Sequence, residues 1–197
     1  MHSTDMTMSL VSARSDEYPF HGPVIRWRSK GKWNHSLVAF EYRDCNGDIV
    51  KEYFESCWKK DKVTGKTGVR HCEWANLIEW EARKKSNQFI EQPLPYSTEA
   101  VEAAYAFCVQ SVGTLKYAKL QIWWNTMGWQ PDAGGQNEVT CSEFSARAIE
   151  VAAFVDTHTY ILCRGYQTFN AITPSGPKSG LSERVAAICQ VHSPSDG

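Results

Sequence analysis

The sequence predicts an α+β fold: a small antiparallel β-sheet or barrel packed against helices, with a cysteine at the N-terminus of one helix. Three observations predict it. In the front of the chain, β-type runs flank the turn signal Asn46-Gly47. In the middle, apolar residues recur at helical spacing. Later, the run Val139-Thr140-Cys141-Ser142-Glu143-Phe144-Ser145-Ala146-Arg147-Ala148-Ile149 reads as a short loop feeding a helix. The 197 residues, 42% hydrophobic and 22% charged, suit one domain with a sizeable core.

Taken in order, Met1 to Tyr18 is polar and lacks the basic-then-apolar order of a secretory signal, so residues 1–20 are expected to form a flexible arm. Synthesis in the cytosol follows, with export or association with a virion left open. A single domain is expected over 21–192. Pro23 to Arg28 looks like a first strand. Leu37 to Tyr42 and Ile49 to Phe54 make a hairpin, and Lys59 to Gly68 is a solvated loop. From Glu73 to Lys85, Trp74, Leu77, Ile78 and Ala82 recur at helical spacing. A second helix runs from about Thr98 to Val112, with Ser97 as N-cap, Glu99 and Glu102 in its first turns and Gly113 as its stop.

An aromatic stretch follows, with Tyr117, Trp123, Trp124 and then Trp129; the three tryptophans read as core, or alternatively as the border of a substrate groove. Pro131 to Gln136 is a glycine-containing loop. After the Cys141 helix, which extends to about Phe154, a strand pair is expected around Thr159 to Cys163 and Tyr166 to Ala171. Thr173-Pro174-Ser175-Gly176-Pro177 breaks regular structure, and 193–197 is a tail.

Composition excludes several function classes. A formal charge of −1 gives no general attraction to nucleic acid or anionic lipid. No apolar stretch approaches the roughly 18 residues of a membrane span. Seven cysteines without a C-x-x-C pair indicate neither a disulfide scaffold nor a zinc ribbon, so reduced thiols are expected, with Cys108, Cys163 and Cys189 in the core. His71-Cys72 near Cys57 lacks a fourth ligand at recognisable spacing, and no metal or other cofactor is expected. The chain has neither a Gly-x-Ser-x-Gly elbow nor a phosphate-binding loop.

The chemistry-bearing residues are Cys141 and His35. A thiol at a helix start meets unpaired amide N–H groups and the positive end of the helix dipole, which favour the nucleophilic thiolate. His35 opens a β-type run and is the candidate base. The third residue depends on the hairpin. A two-residue Asn46-Gly47 loop puts Glu52 on the His35 face, whereas a three-residue loop with Gly47 as a bulge puts Glu55 there. Glu143 and Arg147, four apart on the helix, read as a surface ion pair.

The order of these segments resembles the circularly permuted NlpC-type papain-like hydrolases, most closely the YiiX-like branch and more distantly the lecithin retinol acyltransferase group. The resemblance rests on Trp33-Asn34-His35-Ser36-Leu37-Val38-Ala39, Glu52-Tyr53-Phe54-Glu55-Ser56, Thr67-Gly68-Val69-Arg70, Gly113-Thr114-Leu115-Lys116-Tyr117, Thr140-Cys141-Ser142-Glu143-Phe144 and Thr173-Pro174. It implies a permuted papain-like fold with Cys141 as nucleophile, His35 as general base and then acid, and a polar residue orienting the imidazole. The family's acid-then-small pattern fits Glu55-Ser56 better than Glu52-Tyr53. The implied activity is hydrolysis of amide or peptide bonds, for example in cell-wall peptides, through an acyl-enzyme; the partner is then a peptide or acyl substrate. Two alternatives stand beside it: a lipid acyl hydrolase or acyltransferase, and a catalytically silent assembly component, for example of a viral particle. The family's tyrosine close ahead of the cysteine is replaced in sequence by Val139 and Thr140.

Overall fold

The structure, a computed structural model, describes residues 6–14, 32–60, 65–72, 87–119 and 137–158. Five antiparallel strands form the main sheet: β1 (Thr7–Arg14), β2 (His35–Arg43), β3 (Ile49–Cys57), β4 (Gly68–His71) and β5 (Gln88–Leu94). Their spatial order is β4-β3-β2-β1-β5. Two helices, α1 (Thr98–Ser111) and α2 (Cys141–Thr157), pack against each other, and α2 also lies on β2 and β3. A short parallel pair, β6 (Lys116–Tyr117) and β7 (Glu138–Val139), leads into α2. This is the expected α+β class with an antiparallel sheet against helices.

The β2–β3 hairpin has its register set by a three-residue loop. The Asp44 carboxylate accepts from the Asn46 and Asp48 N–H groups at 2.8 and 2.9 Å, and Gly47 N–H donates to the Asp44 carbonyl at 3.1 Å. Gly47 closes the loop at φ +84°, a left-handed conformation that glycine adopts without steric penalty. Leu37 consequently pairs with Glu55 and Phe40 with Glu52. Side chains alternate across the pleat. Val38, Phe40 and Phe54 face the helices, where they join Met8, Leu10, Val101, Phe144 and Ile149 in the larger core cluster. Leu37, Ala39 and Tyr53 face the other side with Val11 and Ala13.

The N-terminal segment departs from the expected flexible arm. Thr7–Arg14 is β1, an interior strand paired with β2 on one side and β5 on the other. Met8 and Leu10 fill one sheet face while Val11 and Ala13 fill the other. Burial on both faces outweighs the polarity that Ser9 and Ser12 lend the segment.

Helix α1 begins where the sequence placed it. The Ser97 side chain caps it by accepting from Ala100 N–H, and Gly113 follows its end at φ +68°. The Ser97 N–H also donates to Asp156 Oδ2 at 3.0 Å, tying the start of α1 to the far end of α2. At Gly68, φ is +129° and a β-carbon would stand 2.0 Å from the Leu115 carbonyl oxygen. The bare backbone lets Val69 N–H reach that same oxygen at 3.0 Å and joins β4 to the approach to β6.

Among the described residues, no helix is long and apolar enough to cross a membrane. Several expectations lie outside the described residues: the Pro23–Arg28 strand, the Glu73–Lys85 helix, the three tryptophans, the 131–136 loop, Cys163, Cys189, and everything beyond 158.

Candidate active site

Two local structures bring Cys141 and His35 together. Cys141 is the first residue of α2, behind a complete capping box: Thr140 Oγ1 accepts from Glu143 N–H, and the Glu143 carboxylate accepts from Thr140 N–H. The box uses the N–H groups of Thr140 and Glu143 and leaves those of Cys141 and Ser142 uncommitted to the cap. Glu143 also meets Arg147 at 2.7 Å, the expected i,i+4 pair. The pair is not at the surface as expected, because Glu143 is only 1% exposed and serves the helix start.

Three serines hold that start against the sheet. Ser56 on β3 donates to the Val139 carbonyl at 3.0 Å, just ahead of Cys141. Ser145 Oγ donates to the Cys141 carbonyl at 3.2 Å and lies 3.3 Å from Ser36 Oγ on β2. His35, the first residue of β2, is thereby set beside the start of α2, and the preceding Asn34 N–H is fixed to the Ala13 carbonyl of β1 at 3.1 Å.

The imidazole of His35 is engaged on both sides. Its Nε2 stands 2.5 Å from Glu55 Oε2. The ring also interacts with the Cys141 thiol, through charge and a hydrogen bond. The other carboxylate oxygen, Glu55 Oε1, accepts from Arg70 Nε and Nη2 at 3.0 and 2.8 Å. Cys141, His35, Glu55 and Arg70 are all buried. The sequence left two glutamates open, and it is Glu55 that stands beside His35. Glu52 lies on the opposite, helix-facing side of β3, where the Tyr105 hydroxyl donates to it at 2.7 Å.

Burial dominates each ionisation in this cluster but is overcome by neighbours. It pushes the Cys141 thiol up, yet the His35 charge, the His35 hydrogen bond and the N–H groups of Ser36 and Ser142 bring it below the ordinary thiol value. Burial disfavours the imidazolium, yet Cys141 and Glu55 hold His35 well above its usual range. Burial likewise opposes the Glu55 carboxylate, but His35 and Arg70 draw it down to about 2. Cys108 supplies the contrast: it is buried in the core, and burial alone pushes its thiol up. A thiolate facing an imidazolium, backed by a carboxylate, can supply a nucleophile and a proton carrier.

Sequence reasoning missed two members of this constellation. Arg70 lies directly opposite Glu55 in the β3–β4 register, a relation readable only once that register is known. Tyr117 pairs with Val139 across β6 and β7, so a tyrosine comes near the cysteine in space although none stands close ahead of it in sequence. Tyr117 is buried, and burial together with the charges of Cys141, Cys57 and Glu55 keeps its phenol protonated. The available signal was its place at the end of the Gly113–Tyr117 segment. Among the described residues, no group of three or more His, Cys, Asp or Glu side chains is arranged to hold a metal.

Comparison with protein-family models, with curated proteins and with solved structures gives no match for this chain.

Proposed function

We propose that this chain is a thiol-dependent hydrolase of the permuted NlpC-type papain-like class, cleaving amide or peptide bonds through Cys141, His35 and Glu55. One observation carries the reading: a cysteine at a helix N-terminus lies within interaction range of a histidine whose Nε2 meets a buried carboxylate. Acids, bases and nucleophiles whose environments shift their ionisation in the sense that catalysis requires concentrate at functional sites.

In this mechanism the Cys141 thiolate attacks the substrate carbonyl carbon and the carbonyl electrons move onto oxygen. The Cys141 N–H, free of the capping box, and the Tyr117 hydroxyl are the donors for that oxyanion. As the intermediate collapses, the carbon–nitrogen bond breaks and His35 gives its proton to the leaving amine, leaving a thioester. Neutral His35 then takes a proton from water, which adds to the thioester; the carbon–sulfur bond breaks and the thiolate–imidazolium pair returns. Glu55 keeps the imidazole oriented and stabilises its charged form throughout.

The test combines selective labelling with a substrate screen. Cys141 is expected to react with iodoacetamide near neutral pH far faster than the other cysteines, and cell-wall peptide fragments screened by mass spectrometry are expected to be cleaved by wild type but not by C141A or H35A. Cleavage of acyl esters in place of peptides would move the substrate class to lipids. Equal labelling across all the cysteines, or turnover that survives C141A, would refute the proposal.

A further inference from the structure

We propose that Arg70 is a positioning residue of this site, which through Glu55 governs how readily His35 releases its proton. The inference rests on the proposed thiol mechanism and extends it to a residue that acts through the Glu55 carboxylate.

The geometry is a relay through one carboxylate. Arg70 sits on the edge strand β4, opposite Glu55. Its Nε and Nη2 both donate to Oε1, while Oε2 is given to His35. A glutamate side chain has three rotatable bonds, and its carboxylate plane is free to turn. Two donors converging on one oxygen fix that plane, so that the other oxygen stays against Nε2. Lysine, a point charge on a flexible stem, cannot reproduce this fork.

The guanidinium also shares the charge that His35 experiences. An acyl-transfer histidine must hold its proton while the thiolate waits and surrender it when the amine leaves. A carboxylate committed to His35 alone would favour the imidazolium so strongly that the second step suffers. Partial neutralisation by Arg70 moderates this pull. Among the described residues, the ionisable groups around the imidazole are Cys141 on α2 and Glu55 on β3. Tyr117 on β6 and Cys57 at the end of β3 lie within electrostatic reach of the same cluster and carry no positive charge. Among the described residues, Arg70 is thus the arginine or lysine paired with Glu55.

The experiment measures Cys141 alkylation by iodoacetamide against pH in wild type, R70Q, R70M and R70K. Two limbs are read: an acidic one where the thiolate forms and an alkaline one where His35 loses its proton. Removing the cation in R70Q or R70M should move the alkaline limb up by about one pH unit. R70K keeps the charge but loses the fork, so its alkaline limb should not rise as in the neutral variants, while its acidic limb rises because the carboxylate is no longer held against His35. Wild-type limbs in all three variants would overturn the proposal. So would loss of fold in both neutral variants together with wild-type limbs in R70K, which would make Arg70 a structural brace. A wild-type Cys141 that titrates as an ordinary thiol would instead overturn the hydrolase reading itself, and the Arg70 role with it.

Discussion

Replacing Glu55 by glutamine keeps the shape of the side chain and one oxygen acceptor but deletes the charge that links His35 to Arg70. Two consequences follow from the geometry. Arg70 is left as a buried cation without its carboxylate, a loss of about 3–5 kcal/mol when one member of such a pair is removed. For a chain of this size that corresponds to a fall in Tm of roughly 6–20 °C. The imidazolium also loses a hydrogen bond to a charged acceptor, worth about 1.5–3 kcal/mol, or about one to two pH units on the Cys141–His35 equilibrium. On the acid flank, the alkylation rate of Cys141 should therefore drop about 10- to 100-fold. The assay is iodoacetamide labelling across about pH 4–9, quantified peptide by peptide, with buried Cys108 as an unreactive internal reference and H35A as the limiting case. An E55Q profile that superimposes on wild type, while H35A is shifted, would refute the claim that Glu55 acts through His35.

Tyr117→Phe removes one hydroxyl and little volume; cleavage of whichever peptide the Cys141-dependent screen identifies should fall about 100- to 1,000-fold in kcat while alkylation of Cys141 stays at the wild-type rate. Gly68→Ala forces a β-carbon against the Leu115 carbonyl at a positive φ, and urea unfolding should show a loss of about 2–6 kcal/mol from overpacking and strain together. Acid should weaken the fold through Glu55. Its carboxyl titrates near 4.3 in an unfolded chain and at about 2 in the fold, so its contribution, on the order of 3 kcal/mol, is fully present above the unfolded value and disappears as the pH falls through about 2. His35 has the opposite sign: its raised value contributes stability below its unfolded pKa of about 6.5 that fades as pH rises through the folded one. Urea midpoints measured across the acid range should slope in wild type, and the slope should be shallower in E55Q by the Glu55 contribution.

What the sequence made legible is what local chemistry decides. Ser97 and Gly113 bound α1 because a cap and a left-handed stop act within a few residues of themselves. The Cys141 helix start was readable for the same reason, since Thr140 and Glu143 form their box in place. The identity of the third residue sat on the boundary of such reasoning. One residue of loop length sends either Glu52 or Glu55 to the His35 face, and the choice falls to the Asp44 carboxylate, which holds two N–H groups of the longer loop.

What stayed hidden depends on partners distant in the chain. Thr7–Arg14 has too many serines to announce a strand, and it becomes one because β2 and β5 satisfy its backbone from both sides while two apolar layers cover it. In the sequence Arg70 stands only within the Thr67–Arg70 segment, where nothing gives it a role. Its meaning appears only when β4 pairs with β3 and sets it opposite a carboxylate already committed to a histidine. Such a buried charge is tolerable only as part of a satisfied network. The same pairing that makes Arg70 invisible from sequence thus couples the register of β4, and with it Gly68, to the ionisation of Cys141 at the start of α2. A substitution at Gly68 should therefore disturb thiol reactivity as well as stability.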